Sequence, residues 1–293
     1  MAVSFDFTAI DFETANHHRG SPCAVGLARV RSNEIVESVS WLMQPPPQYA
    51  GFEPYNVGVH GISSHTIVAA PAFQTILPDI LDFIGSDIVC AHNARFDSAV
   101  LAAAAIAVGS EPPRLRYLCT LVAARRCLEL PSYRLPFVAD ALGIHLRDHH
   151  DPGGDSRAVA QILPPLAPHL GVSSLEQMAV LTQTASTPST LPTIDRPHPD
   201  ASPDHPLWGR VVVFTGALSS MTRELAHDEC IRVGALPERT VTKRTNVLVV
   251  GDLDPARLVP GDVTSQKAQK AFNLRASGQD IEVMTEYDFL QSL

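Results

Sequence analysis

The feature that most constrains this chain is an interruption. Residues 184–206, TASTPSTLPTIDRPHPDASPDHP, set six prolines among Ser, Thr and Asp and hold almost nothing to bury. A stretch of that composition reads as a linker and cannot sit inside a packed core. The 293 residues are therefore expected as two domains, 1–172 and 207–293, joined by 173–206. Within the connection, SSLEQMAVLTQ (173–183) suggests one short helix, with Ser173 and Glu176 at capping-box spacing. A flexible segment of this length has a root-mean-square reach of roughly 25–30 Å.

At 45% hydrophobic and 18% charged residues, the composition is that of an ordinary globular protein. The five cysteines are odd in number and form no C-x-x-C pair, which argues for a reducing compartment and against a disulfide framework or a zinc site. MAVSFDFTAI lacks the basic and apolar regions of a signal peptide. No apolar run reaches the ~20 residues that span a bilayer, so no membrane partner is expected. The net charge of −9 is uneven: −5 over 1–172, −3 over 173–206 and −1 over 207–293, with all three lysines in the last segment. A protein that coats nucleic acid would be basic. If this chain handles phosphates, it does so through metal ions or a few placed cations.

The opening 5–11, 23–31 and 35–43 reads as a three-strand meander broken at NHHRGSPC and RSNE. Helical spacing over 71–84, a fourth strand DIVCAH (87–92), and helices near 95–107, 119–129, 135–142 and 155–163 follow, the last stopping before Pro164-Pro165. This order predicts an α/β domain with a mixed sheet. In 207–293, strands RVVVFTG, TNVLVVG and IEVM alternate with helices at 222–233, 265–274 and TEYDFLQSL, which predicts a small parallel α/β domain.

Within the first strand, TAIDFET places Asp11 and Glu13 two residues apart, hence on one face. Two carboxylates so close repel unless a cation lies between them. A lone D-x-E is expected about once by chance in a chain of this length. HNARFD adds Asp97 in the first turn of a helix with Asn93 as its N-cap. HHDPGGDSRAVAQIL adds His150 and, five residues on, Asp155, with Gly153 and Gly154 expected as loop and Asp155 opening the helix. Converging oxygen-only ligands suit Mg2+ or Mn2+. Two such ions clamp the attacking and leaving oxygens of a phosphodiester, and a histidine can take the proton of the attacking water. His149 is the rival to His150; His17 and His18 read as a solvated turn, and His92 as a support for the Asp97 helix.

In these motifs and their order the sequence resembles the DEDD-type 3′-to-5′ exonucleases of the histidine subclass, the DnaQ-like relatives of the polymerase III epsilon subunit. VHGISSHT (59–66) and YRLPFVADALGIHLRDHH are similar to further segments of that family. The resemblance covers about residues 5–170 and implies a ribonuclease H-like fold, two divalent ions (Mg2+ or Mn2+), and His150 as general base. It implies that Asp11 bridges both metals, that Glu13 and Asp155 hold the nucleophile-side metal, and that Asp97 supports the second. Thr14, Gly61 and Ile62 would lie against the terminal nucleotide.

LWGRVVVFTGALSSMTRELAHDECIRVGA, SQKAQKA and TEYDFLQSL resemble a BRCT domain, particularly the copy ending bacterial NAD-dependent DNA ligases. Gly234-Ala235 stands where the family has Gly-Gly, and Phe289 replaces its usual Trp as core anchor. In phosphate-binding members the matching positions are Thr215, Gly216 and Lys267, with Arg223 nearby; the bland alternative is a strand end and a solvated lysine. The resemblances imply a metal-dependent exonuclease acting on the 3′ end of DNA in repair or proofreading. The BRCT domain would target it to a 5′-phosphate DNA end, a phosphoprotein, or replication and repair proteins. A bacterial cytoplasmic, nucleoid-associated location fits that role. An exoribonuclease and a non-catalytic DNA-end-binding scaffold are the rivals.

Overall fold

The structure is a computed structural model that describes residues 4–146, 149–183, 198–251 and 265–293. Contacts divide the chain into two compact units, 1–128 with 135–184, and 129–134 with 185–293.

The first unit opens with β1 (Phe7–Thr14), β2 (Pro22–Arg31) and β3 (Glu34–Leu42), an antiparallel meander. Then come α1 (Pro54–His60), α2 (Phe73–Ile84), β4 (Val89–Ala91), α3 (Ala94–Ala107), β5 (Tyr117–Cys119), α4 (Thr120–Cys127), α5 (Leu135–Ala141), α6 (Pro152–Leu170) and α7 (Leu175–Gln183). β4 and β5 join parallel to β1, so the five-stranded sheet runs β3-β2-β1-β4-β5 and is mixed, as expected. Alternation along β1 sends Ile10 and Phe12 into a core shared with Phe73, Ile80 and Leu101 of α2 and α3, while Asp11 and Glu13 take the opposite face.

α6 departs from the expected 155–163 at both ends. It starts earlier because Asp151 caps it, accepting from Gly154 N at 2.7 Å, with Pro152 in the first turn, where a missing N–H costs little. It also runs through Pro164, Pro165 and Pro168 to Gly171. The lost hydrogen bonds are offset by a buried face of Ile162, Leu163, Leu166 and Ala167. α7 belongs to the first unit and not to the connection, since Leu175, Met178 and Ala179 are buried. Its start is capped one residue later than expected, Ser174 Oγ accepting from Gln177 N at 3.2 Å. Of the expected linker, 184–197 lies outside the described residues; 198–206 forms turns in which His205 is buried.

In the second unit β6 (Val211–Thr215), α8 (Arg223–Arg232), β7 (Leu236–Glu238), β8 (Val247–Val250), α9 (Gln266–Ala276), β9 (Glu282–Thr285) and α10 (Glu286–Ser292) form an all-parallel sheet ordered β7-β6-β8-β9. The expectation had missed β7, whose three half-buried residues LPE carry no strand pattern. Phe289 is fully buried and meets Phe214 edge-on at 5.0 Å, the anchor expected of it. Gly234 adopts φ +80°, and a Cβ there would come within 2.3 Å of the Trp208 ring. Thr285 caps α10 in a capping box with Asp288.

Candidate active site

Past Ala9, β1 has no strand beside it on the β4 side among the described residues, because that pairing ends at Ala9↔Cys90. The strand nevertheless continues beyond Asp11, where the sequence suggested its end, to Thr14. The open edge is met by a side chain: Phe12 N donates to Asp97 Oδ1 at 3.0 Å. Asp97 sits in the first turn of α3 and is buried. Asn93 occupies the N-cap position with φ +80° and makes no side-chain cap hydrogen bond, contrary to its expected capping role. His92 Nδ1 lies 3.0 Å from Thr120 Oγ1, tying the start of α3 to α4.

The fourth acid arrives through close helix-on-sheet packing. Gly26 pairs with Asp11 across the β1–β2 ladder, and a Cβ at Gly26 would lie 1.8 Å from Pro152 O. Only glycine lets the first turn of α6 rest on the sheet there. Gly153 serves the same approach, a Cβ on it falling 3.2 Å from Ser40 Cβ. Gly153 and Gly154 thus lie in the first turn of α6, not in the loop expected from DPGG. The closeness of helix and sheet sets Asp155 beside Asp11.

Asp11, Glu13 and Asp155 each offer an oxygen, and the three lie within 4.8 Å of one another. Asp97 stands outside this trio, its Oδ1 engaged by the strand. Asp11 Oδ2 and Asp155 Oδ1 are buried and accept no hydrogen bond among the described residues. Burial pushes the Asp11 carboxyl well above its usual range, and Asp155, Glu13, Asp97 and Asp151 add to the rise. Burial also lifts Asp97 to about 8, against the lowering effect of the Phe12 amide. Orphaned buried acceptors among repelling carboxylates constitute a site short of positive charge. Its all-oxygen donor set fits a hard divalent cation.

Both histidines reach the acids. His150 adopts φ +74°, donates its N–H to Asp155 Oδ2 at 3.0 Å, and holds Nδ1 3.8 Å from Glu13 Oε1. His149 Nδ1 lies 2.9 Å from the same Asp155 oxygen, and its ring stacks on His150 with centroids 3.8 Å apart. Spacing favoured His150 alone; the tight turn brings its neighbour in as well.

The second wall is α1. Asn56 Nδ2 donates to Thr14 O at 3.0 Å, and His60, one turn on, places Nε2 3.1 Å from the same carbonyl. His60 Nδ1 accepts from Ile62 N at 3.0 Å, so its proton is on Nε2, and burial lowers its basicity. The sequence reading missed Asn56 and His60, although their i, i+4 spacing on a helix was visible. Thr14 is buried; Gly61 caps α1 at φ +73° with open space beside it; Ile62 packs inward among Ala15, Cys23, Ala24 and Ile67.

In the second unit Thr215 and Lys267 each bond to a neighbour at the end of β6 and the start of α9. Thr215 Oγ1 lies 2.7 Å from Ser265 Oγ, and Lys267 Nζ donates to Phe214 O at 3.0 Å. Arg223 donates to Gly216 O, and its Nη1 is buried without an acceptor among the described residues. Gly216 has φ +75° and could not carry a Cβ, which would fall 2.3 Å from Gly251 O. Lys267 is less basic than usual through burial and the neighbouring Arg223.

Residues 8–163 match the family model RNase_T, described as Exonuclease. A Mycobacterium tuberculosis protein named for exonuclease and endonuclease activities is 30% identical over 164 residues, 54% of this chain and 24% of that protein. The PolC-type DNA polymerase III of Thermotoga maritima is 26% identical over 183 residues, 61% of this chain and 13% of the polymerase. A DNA ligase of Syntrophus aciditrophicus is 38% identical over 86 residues, 29% of this chain and 11% of the ligase. The chain thus spans less than a quarter of the length of each of these relatives. Among solved structures, Exonuclease X in complex with 5′ overhanging duplex DNA superposes with TM-score 0.50 at 25% identity, covering 60% of this chain and 99% of that one. Escherichia coli Exonuclease I in complex with a dT13 oligonucleotide shares the fold at TM-score 0.51 and 18% identity, over 57% of this chain and 42% of its own. With more than half its length matched and a ribonuclease H-like mixed sheet beneath the acids, the chain belongs to the RNase_T exonuclease family.

Proposed function

We propose that this chain is a metal-dependent 3′-to-5′ exonuclease of the DEDDh type, acting on single-stranded or frayed DNA ends. The observation that carries the reading is the trio Asp11, Glu13 and Asp155 within 4.8 Å, with two buried oxygens lacking partners. Two Mg2+ or Mn2+ ions held by these three and Asp97 would stabilise the attacking and leaving oxygens of the scissile phosphate. The chain's own residues do the rest. His150 stands over Glu13 and takes the proton from the attacking water. Asp155 fixes the backbone at His150 and the ring of His149 through one oxygen, which leaves Oδ1 for the cation. Asn56 and His60 hold Thr14 at the strand end, where the terminal nucleotide would lie.

The second unit is read as a BRCT domain of the ligase type, a reading supported by its parallel sheet and by the likeness to a DNA ligase over 86 residues. Thr215, Gly216 and Lys267, with Arg223, would bind one phosphate, from a DNA 5′ end in preference to a phosphoprotein. Such binding would raise the local concentration of a 3′ end at the nuclease. The test uses labelled single-stranded DNA and matched RNA with Mg2+ or Mn2+, comparing wild type with Asp155→Ala. Stepwise shortening of DNA from the 3′ end, lost in the variant, is expected. Faster trimming of RNA would replace DNA by RNA as substrate. DNA-end binding without hydrolysis under either metal would overturn the enzyme reading.

A further inference from the structure

Among the described residues, four other than glycine have a left-handed backbone: Ser32, Asn33, Asn93 and His150. Ser32 and Asn33 make the two-residue turn between β2 and β3, where that conformation is the rule. Asparagine at position 93 tolerates it better than most residues. Of the four, only His150 carries a ring, and the conformation decides where that ring goes. On a strand adjacent side chains point to opposite faces, and on a helix they do not face each other. The turn at φ +74° instead lays the His149 and His150 rings together, with centroids 3.8 Å apart and planes 26° from parallel.

Three contacts tie this pair of rings to the acids. Asp155 Oδ2 accepts the His150 N–H at 3.0 Å, and His149 Nδ1 lies 2.9 Å from the same oxygen. His150 Nδ1 stands 3.8 Å from Glu13 Oε1. His149 therefore has one edge anchored on an acid and one face laid on its neighbour. A general base must present a ring nitrogen to water in a fixed direction. A hydrogen bond that fixes an imidazole occupies one of its two nitrogens, whereas a stacked face fixes the plane and occupies neither. Asp155 also belongs to the acid trio, so one side chain sets both the ring pair and a corner of the cation site. With 26% of its side chain exposed, His149 can be replaced without leaving a cavity in the core.

We propose that His149 is a positioning residue for the base: held through Nδ1 on Asp155, it lays its ring on His150 and fixes the plane in which that imidazole meets the attacking water. The proposal deepens the nuclease reading and rests on it for the reaction. One part of the test needs no hydrolysis. In the full chain with ring-labelled histidine and chelator, the His150 ring protons should carry an upfield ring-current shift in NMR spectra. His149→Ala should abolish that shift and His149→Phe should keep it. With Mg2+ and labelled single-stranded DNA, His149→Ala should lower kcat by about a hundredfold at unchanged KM, the cost of a reacting group misplaced by about 1 Å. His149→Phe should retain most of the rate. His149→Asn, which keeps a donor for Asp155 but has no ring, should fall with the alanine variant. In a His150→Ala background, His149→Ala should cost nothing further, since the residue it positions is gone. A missing ring-current shift in wild type, rescue by asparagine and not by phenylalanine, or a further loss in the double variant would overturn the role of His149. Absence of hydrolysis by wild type would overturn the nuclease reading instead, with the ring-current comparison still deciding whether His149 holds the His150 ring.

Discussion

The C-terminal ends of β1 and β6 are both polar sites at the mouth of an α/β sheet, yet they are opposite in electrostatic condition. At β1, acceptors crowd together: Asp11 and Asp155 each keep a buried oxygen without a partner, and burial holds Asp11 and Asp97 far from their ordinary acidity. At β6, donors meet backbone carbonyls of their own unit, Lys267 on Phe214 and Arg223 on Gly216, with Arg223 Nη1 unmatched among the described residues. The first site is destabilised until a cation arrives; the second is nearly complete without a ligand. A strained site states its requirement, whereas a satisfied one leaves its ligand to be proved.

The largest test of that contrast is Asp155→Asn. Hydrolysis should fall to background, while the metal-free protein should melt at an equal or higher temperature, because one repelling charge is gone. A marked loss of stability in chelator would mean the acids hold the fold together. His150→Ala should lower turnover by about a thousandfold with metal binding retained, the effect of losing a general base. Gly26→Ala should lift α6 from the sheet, since its methyl meets Pro152 O; activity and melting temperature should fall together, unlike in Asp155→Asn. In the second unit Phe289→Ala should cost about 3–5 kcal/mol of that unit's stability and leave nuclease turnover unchanged below its melting range. The smallest effect belongs to Lys267→Met. It removes a donor from Phe214 O and should lower stability by about 1 kcal/mol, opposite in sign to Asp155→Asn. A rise in melting temperature there would erase the contrast.

The carboxyl shifts add a pH dependence. Asp97 is raised to about 8 and Asp11 is raised too, so between the unfolded carboxylate range and about 8 the folded protein binds more protons than the unfolded chain. Without metal, these groups stabilise the fold at low pH, and that contribution is lost as pH rises toward 8. A divalent ion must displace those protons. The melting-temperature increase on adding Mn2+ should therefore grow from pH 6 to pH 8, and a constant or shrinking increase would contradict the assignment.

Most of the candidate site was readable because its residues obey local rules. Asp11 and Glu13 share a face by strand alternation, and Asp97 falls in a first helical turn. Thr285 caps α10, and Phe289 lies on its buried side. What failed locally was decided by distant partners. The prolines after Ile162 do not stop α6, because its apolar face is covered. Asn93 does not cap α3 with its side chain, and β7 forms from residues with no strand signature, by pairing with β6.

The sequence by itself determined which acids stand at the candidate site and on which elements they ride, since acid identity and periodicity are local properties of the chain. Tertiary structure alone decided that Asp155 meets Asp11, because the approach depends on an empty Cβ position at Gly26, fifteen residues along and on another strand. It also brought His149 onto Asp155 and fixed Thr14 through Asn56 and His60. All of these but the local His149 contact depend on a distance between residues remote in the chain, and such distances exist only once the core has packed.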